Sequence, residues 1–218
     1  QRLREGDDLR GPQAELAPQP APVLDAMHRG PQVLRSGARL DALVRCQVEP
    51  GVDRPSYAVT EPASTNLNID AIALVCEEAA DSRIVQLQLY LSDDGPLAPR
   101  GVAASSLKLH PTAEVVVDRR AFPVRLYFAD DYVLLADAER ERFPRLSESL
   151  LDAMASGERM TLRFDLVAEP PGEPAAFDGE AVVDLQAGRG RQAVNAVRRC
   201  AAPEEHVPVG VARADHGR

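Results

Sequence analysis

The stretch Gly188-Arg189-Gly190-Arg191-Gln192-Ala193 carries the spacing G-x-G-x-x-A and lies between a strand-like run and a helix-like one. In that setting glycines let a pyrophosphate approach a helix N-terminus, where unpaired amides and the helix dipole favour an anion. The dinucleotide fingerprint also needs a second parallel strand with an acidic residue about 20 positions on, and here the helix runs into a polar tail. We therefore expect no nucleotide cofactor. The glycines read as the end of a strand and the start of a helix, with Gly188, Arg189, Gly190 and Arg191 retained as an anion-binding set.

Hydrolytic chemistry needs a nucleophile, a base and an orienting group. There is no G-x-S-x-G, His28, His206 and His216 fall in tail-like segments, and His110 precedes Pro111 in an expected loop. Cys46, Cys76 and Cys200 are too widely spaced for the usual zinc pattern. By themselves they are equally compatible with one disulfide plus a spare thiol and with three reduced cysteines. Cys76 lies in an apolar strand-like run and Cys200 on an apolar helical face, whereas a reactive thiolate wants an electropositive, partly exposed setting. Carboxylates gather at Asp93-Asp94, at Asp130-Asp131, and at Asp137, Glu139 and Glu141, without a D-x-D-x-D-G loop for calcium. Turn formation accounts for them, because Asp hydrogen-bonds its own backbone. The expectation is a chain with no catalytic residue, metal or cofactor; the alternative is a hydrolase built on acidic loop residues such as Asp130 and Asp131.

Composition narrows the partners. Of 218 residues, 44% are hydrophobic, enough for a real core, and only 4% are aromatic with no Trp, which leaves few stacking platforms for sugars or single strands. Basic residues number 25 against 34 acidic, so the net charge is 25 − 34 = −9, and nucleic acid and anionic membrane are poor partners. Lys108 is the only lysine. No run approaches the ~20 apolar residues of a membrane span. The chain starts at Gln1, from which we expect that an upstream piece, a cleaved signal peptide for instance, has been removed.

The elements that would position these groups are mostly strands. Residues 1–37 are rich in Pro, Gly and charge and read as a flexible tail, with one helical turn at 23–27; residues 38–202 read as one domain and 203–218 as a second tail. Residues 69–77 are apolar on both alternating sets, as a strand covered on both faces should be. Residues 83–92 alternate, with Val85, Leu87, Leu89 and Leu91 inward and Gln86, Gln88 and Tyr90 toward solvent. Residues 114–136 read as a three-stranded meander, Pro123 placing its strand at an edge or at its start. After Pro144 the period becomes helical, with Ser147 as N-cap and Gly157 as a left-handed stop. Strands at 160–166 and 177–185 follow, then a helix with Ala193, Val194, Val197 and Cys200 on one face. The fold class is β-rich α+β: an antiparallel sheet or small sandwich with two helices packed at one side.

The closing run Leu162-Arg163-Phe164-Asp165-Leu166, then Phe177-Asp178-Gly179-Glu180-Ala181, then Ala193-Val194-Asn195-Ala196-Val197-Arg198-Arg199-Cys200 resembles the end of the small periplasmic proteins grouped with invasion-associated locus B. The upstream strand with Cys76 and its partner at 83–92 is similar to their cysteine-bearing sheet; the chain departs from them in lacking Trp and in carrying Cys46 as an extra cysteine. The resemblance spans roughly residues 57–201. It implies a signal-bearing periplasmic or secreted protein without catalysis, whose partner is an unidentified envelope protein or a small ligand. It also implies a Cys76–Cys200 disulfide, which in the chain-entropy treatment would stabilise the domain by ~4–5 kcal/mol. A third reading makes the chain a structural subunit that docks through its Pro-rich N-terminal tail.

Overall fold

The computed structural model describes residues 47–48, 55–79, 81–92, 95–129, 132–140 and 142–202. The chain divides into two units, Gln1–Ala38 and Arg39–Arg218, and every described residue belongs to the second. Both expected tails, the turn at 23–27, Cys46, His28, His206, His216, both aspartate pairs and Glu141 lie outside the described residues.

In chain order the elements are β1 (Gln47–Val48), β2 (Tyr57–Thr60), β3 (Ser64–Thr65), β4 (Ile69–Ala79), β5 (Ser82–Leu91), β6 (Leu107–Val117), β7 (Arg120–Phe128), β8 (Tyr132–Ala136), β9 (Ala138–Arg140), β10 (Phe143–Arg145), α1 (Glu148–Ser156), β11 (Arg159–Val167), β12 (Gly179–Asp184) and α2 (Gly190–Ala201). Ten strands form one antiparallel sheet in the order β1-β2-β4-β5-β8-β7-β6-β11-β12-β3, and β9 with β10 makes a separate ribbon. Among the described residues the fold is strand-rich α+β with two α-helices.

Connectivity forces this sheet to curl. β4 is third in the order and β3 tenth, seven spacings apart, which in a flat sheet would be ~34 Å. Yet only Asn66, Leu67 and Asn68 join β3 to β4, a reach of at most ~14 Å. The two ends of the sheet are therefore brought together by a strap: the chain leaves β2, pairs as β3 with β12, and returns to β4. Ala63 N–H donates to Val182 O at 2.7 Å on the way out, and Asn66 and Asn68 hold the return. Asn66 donates to Asp178 O (2.8 Å) and accepts from Glu180 N–H (2.7 Å); Asn68 donates to Pro96 O and accepts from Ala98 N–H, both at 3.0 Å.

The meander forms as expected, but its first strand starts earlier, at Leu107, so His110-Pro111 is strand and not loop. Residues 108–111 are accommodated by a register shift against β11, where Thr112 faces Asp165 and Leu107 faces Val167. Pro123 lies inside β7, an interior strand. It falls in the half of that strand, residues 120–124, that pairs with β6, while β8 pairs only with residues 125–128, so the proline sits where the strand is locally an edge.

One expectation fails on β5. Gln86 and Gln88 do not face solvent; they are 1% and 0% exposed. The β9–β10 ribbon folds over the outer face, and the amides satisfy one another: Gln86 Nε2 donates to Pro144 O (2.9 Å), Gln88 Nε2 to Gln86 Oε1 (3.2 Å), and the Tyr90 hydroxyl to Gln88 Oε1 (2.9 Å). A buried amide is tolerated when so paired. β4 is buried on both faces, as its composition requires.

Helix α1 begins where Ser147 Oγ accepts from Leu150 N–H at 3.2 Å, and Asp137 braces that cap by accepting from Ser147 N–H at 2.6 Å and from its hydroxyl. Gly157 ends the helix, though with extended backbone (φ −74°) and not in the left-handed stop expected. It is needed for space: a Cβ there would meet Val117 Cγ1 at 2.4 Å and Ala153 O at 2.9 Å. Leu150, Leu151 and Met154 of α1 and Ala193, Val194 and Val197 of α2 enter the same core as the inner face of the sheet.

Candidate functional site

The strap closes the curled sheet at one end, and the gap between β2 and β12 is roofed by α2. Beneath it lies an apolar cleft of about 40 Å³, with Thr60 and Asp184 as its polar residues. Ala58 and Leu74 supply the sheet side, Met154 and Met160 the floor, and Ala193 and Val194 the helix. The small residues follow from helical spacing on α2, which presents Gly190, Ala193, Val194, Val197 and Cys200 inward.

Three attachments hold this roof. Cys200, near the end of α2, forms a disulfide with Cys76 of β4 across a separation of 124 residues, with Cα atoms 6.2 Å apart. At the other end Arg191 N–H donates to Leu185 O at 3.0 Å. Between them Arg198 reaches α1, with Glu148 at 2.5 Å and Asp152 at 2.6 Å. Arg83 Nη1 lies 3.7 Å from Cys200 Sγ and 0.1 Å farther, at 3.8 Å, its Nη2 meets Glu78. The disulfide implied by the resemblance to the periplasmic family is thus present.

The anion-binding set occupies the turn that leads into this roof. Gly188 (φ 59°) and Arg189 (φ 70°) turn the chain after β12. The Gly190 N–H donates to Ala187 O and the Arg191 N–H to Leu185 O, so these two amides are engaged within the chain. Asp184 accepts from Gln186 N–H (2.8 Å) and Ala187 N–H (2.9 Å). The Ala187 and Gln186 amides hold its carboxyl below the usual range, outweighing a small burial effect, with Arg159 adding its charge.

Several carboxylates outside the cleft are held in structural contacts. Asp137 braces the α1 cap, and Glu139 accepts from Arg125 Nη1 (2.8 Å) and the Tyr127 hydroxyl (2.9 Å) beside an open groove on β7 and β8. Burial, then the Glu139 hydrogen bond, pushes the Tyr127 hydroxyl up, so this trio is an ion-paired contact in which Tyr127 keeps its proton. Lys108 Nζ lies 2.5 Å from Asp165 and 2.7 Å from Glu169. Desolvation opposes its charge, but hydrogen bonds to Asp165 and Glu169 raise its pKa above the ordinary value. The Lys108 hydrogen bond in turn lowers Glu169 to about 2. Glu77, at the far end of β4, is the reverse case: burial raises its carboxyl to about 7, the Gln88 amide lowers it, and the neighbouring Glu78 charge raises it. Among the described residues, no group of three or more His, Cys, Asp or Glu is arranged to hold a metal ion.

Sequence reasoning missed the mouth of the cleft. Thr60 belongs to β2, a four-residue strand whose Tyr57-Ala58-Val59-Thr60 composition was its only signal. Asp184 lies far from it in sequence, and nothing local links the two. Searches against family models, curated proteins and solved structures found no match to this chain. No helix among the described residues is long and apolar enough to cross a membrane.

Proposed function

We propose that this chain is an exported binding domain of the cell envelope, without catalytic chemistry of its own, that holds an envelope partner or a small ligand in an oxidising compartment. The Cys76–Cys200 disulfide carries this reading. Such bonds persist outside the reducing cytosol, and this one is buried, with the two cysteines 8% and 5% exposed. The resemblance to periplasmic proteins of the invasion-associated locus B type supports the same compartment. The polar clusters add support, since the carboxylates of Asp137, Glu139, Asp165 and Glu169 are each engaged in structural contacts.

The test is a peptide map without reduction, made on protein alkylated in its native cells and taken from separated cell fractions. The expected result is a Cys76–Cys200 peptide in the extracytoplasmic fraction. Full alkylation of Cys76 and Cys200 before any reductant is added would overturn the proposal.

A further inference from the structure

We propose that the cleft beneath α2 binds the end of a short unbranched hydrocarbon chain, carried by a ligand whose polar end is uncharged or cationic. This ligand class rests on the reading of the chain as a binding domain and gives that domain a site.

The cleft's size and lining select such a group. Its volume of about 40 Å³ has room for roughly three water-sized spheres at ~10–15 Å³ each, which is the end of a chain and less than a ring. Water gains little there, because a buried water needs two to four polar partners and the walls are almost wholly apolar. Met154 and Met160 are unbranched and repack readily, so the floor adapts to a linear guest. The roof does not lift easily, being held by the Cys76–Cys200 bond at one end, the Arg191–Leu185 hydrogen bond at the other and the Arg198 ion pairs between. Only a chain end therefore enters, and the rest of the ligand stays at the mouth.

Charge at the mouth sets the other requirement. Asp184 is exposed, and hydrogen bonds from Gln186 and Ala187 keep it ionised. Arg159 offsets part of that charge, and the carboxylate oxygens, which only accept hydrogen bonds, favour an alcohol or an ammonium group over an anionic head, with the Thr60 hydroxyl as a further polar contact.

Two of the three methionines line the cleft, so ¹³C-methyl-methionine labelling of the full-length oxidised chain supplies the readout. Titration with 1-butanol and with butylamine is expected to move the Met154 and Met160 methyl signals saturably. Butyrate and tert-butanol should bind at least ~10-fold more weakly. Filling the cleft with Ala193→Val should weaken butanol by at least ~10-fold, and enlarging it with Val194→Ala should admit 1-hexanol. No saturable movement, equal movement in Ala193→Val, or equal binding of tert-butanol would overturn the site; butyrate binding as well as butylamine would overturn the choice of head group. Should Ala193→Val fail to fold, Val194→Ala decides: unchanged affinity for hexanol counts against the cleft. The peptide map without reduction, made on the native, alkylated protein, separates the two proposals. A linked Cys76–Cys200 pair with silent methionines sinks the cleft alone, whereas free native thiols with moving methionines sink the exported reading alone.

Discussion

A Cβ on Gly179 would stand 2.7 Å from Leu67 Cδ2, so the strap residue Leu67, itself fully buried, occupies the space that any side chain at position 179 would need. Asn66 grips the backbone on both sides of that glycine, through Asp178 O and Glu180 N–H. The three residues together fix the strap to β12, and with it the closure of the sheet.

Gly179→Ala should consequently lower the unfolding free energy by ~1–3 kcal/mol through overpacking. Chemical denaturation would measure it. Because the clash is with Leu67, the double variant with Leu67→Ala should lose less than the sum of the two single losses, and strict additivity would show that the two sites do not meet.

The disulfide predicts a redox-dependent stability. Closing a loop over 124 residues is worth ~4–5 kcal/mol in the chain-entropy treatment, so Cys200→Ser should lower the denaturation midpoint of oxidised protein. Under reducing conditions the variant and the parent should nearly coincide. Equal losses in both conditions would mean that Cys200 acts by packing and not by its bond.

Glu77 predicts a pH dependence of unusual sign. Its folded carboxyl is raised to about 7 from an ordinary 4.5, so between those values the folded chain holds a proton that the unfolded chain has released. Stability should therefore fall as pH rises from about 4.5 to about 7, by ~1–2 kcal/mol once the partial exposure of the group is allowed for. Glu77→Gln should flatten that segment of the curve in urea titrations, and an unchanged slope would remove Glu77 as its cause.

Glu169 predicts the opposite limb. Its carboxyl, held at about 2 by Lys108, stabilises the fold above its ordinary 4.5 and stops doing so as pH falls toward 2. Glu169→Gln should make the acid limb shallower, and Lys108→Met should do the same by a different route. A limb untouched by either substitution would show that the pair is not what acid breaks.

The elements themselves were legible in the sequence. The two-sided apolar run at 69–77 became β4, the Ser147 cap and helical period became α1, the alternation at 160–166 became β11, and the face ending in Cys200 became α2. Each of these depends on contacts a few residues apart, where side-chain period and capping are decided locally. The corrections share one cause. Gln86 and Gln88 read as solvent-facing, and only the ribbon folding over them, with Pro144 as acceptor, buries them. Gly157 read as a left-handed stop, and only the approach of Val117 shows why no side chain fits there.

The site belongs entirely to the second kind of information. The apolar periods of β4, α1 and α2 required a shared core, and sequence alone determined that they would be buried. It did not determine which ends of the sheet would meet. Strands β2 and β12 border one cleft because three residues after β3 cannot span a flat sheet, and because the Cys76–Cys200 bond ties the roofing helix α2 to β4. Chain reach and loop closure act over a hundred residues and more, a distance at which neither composition nor period carries a signal.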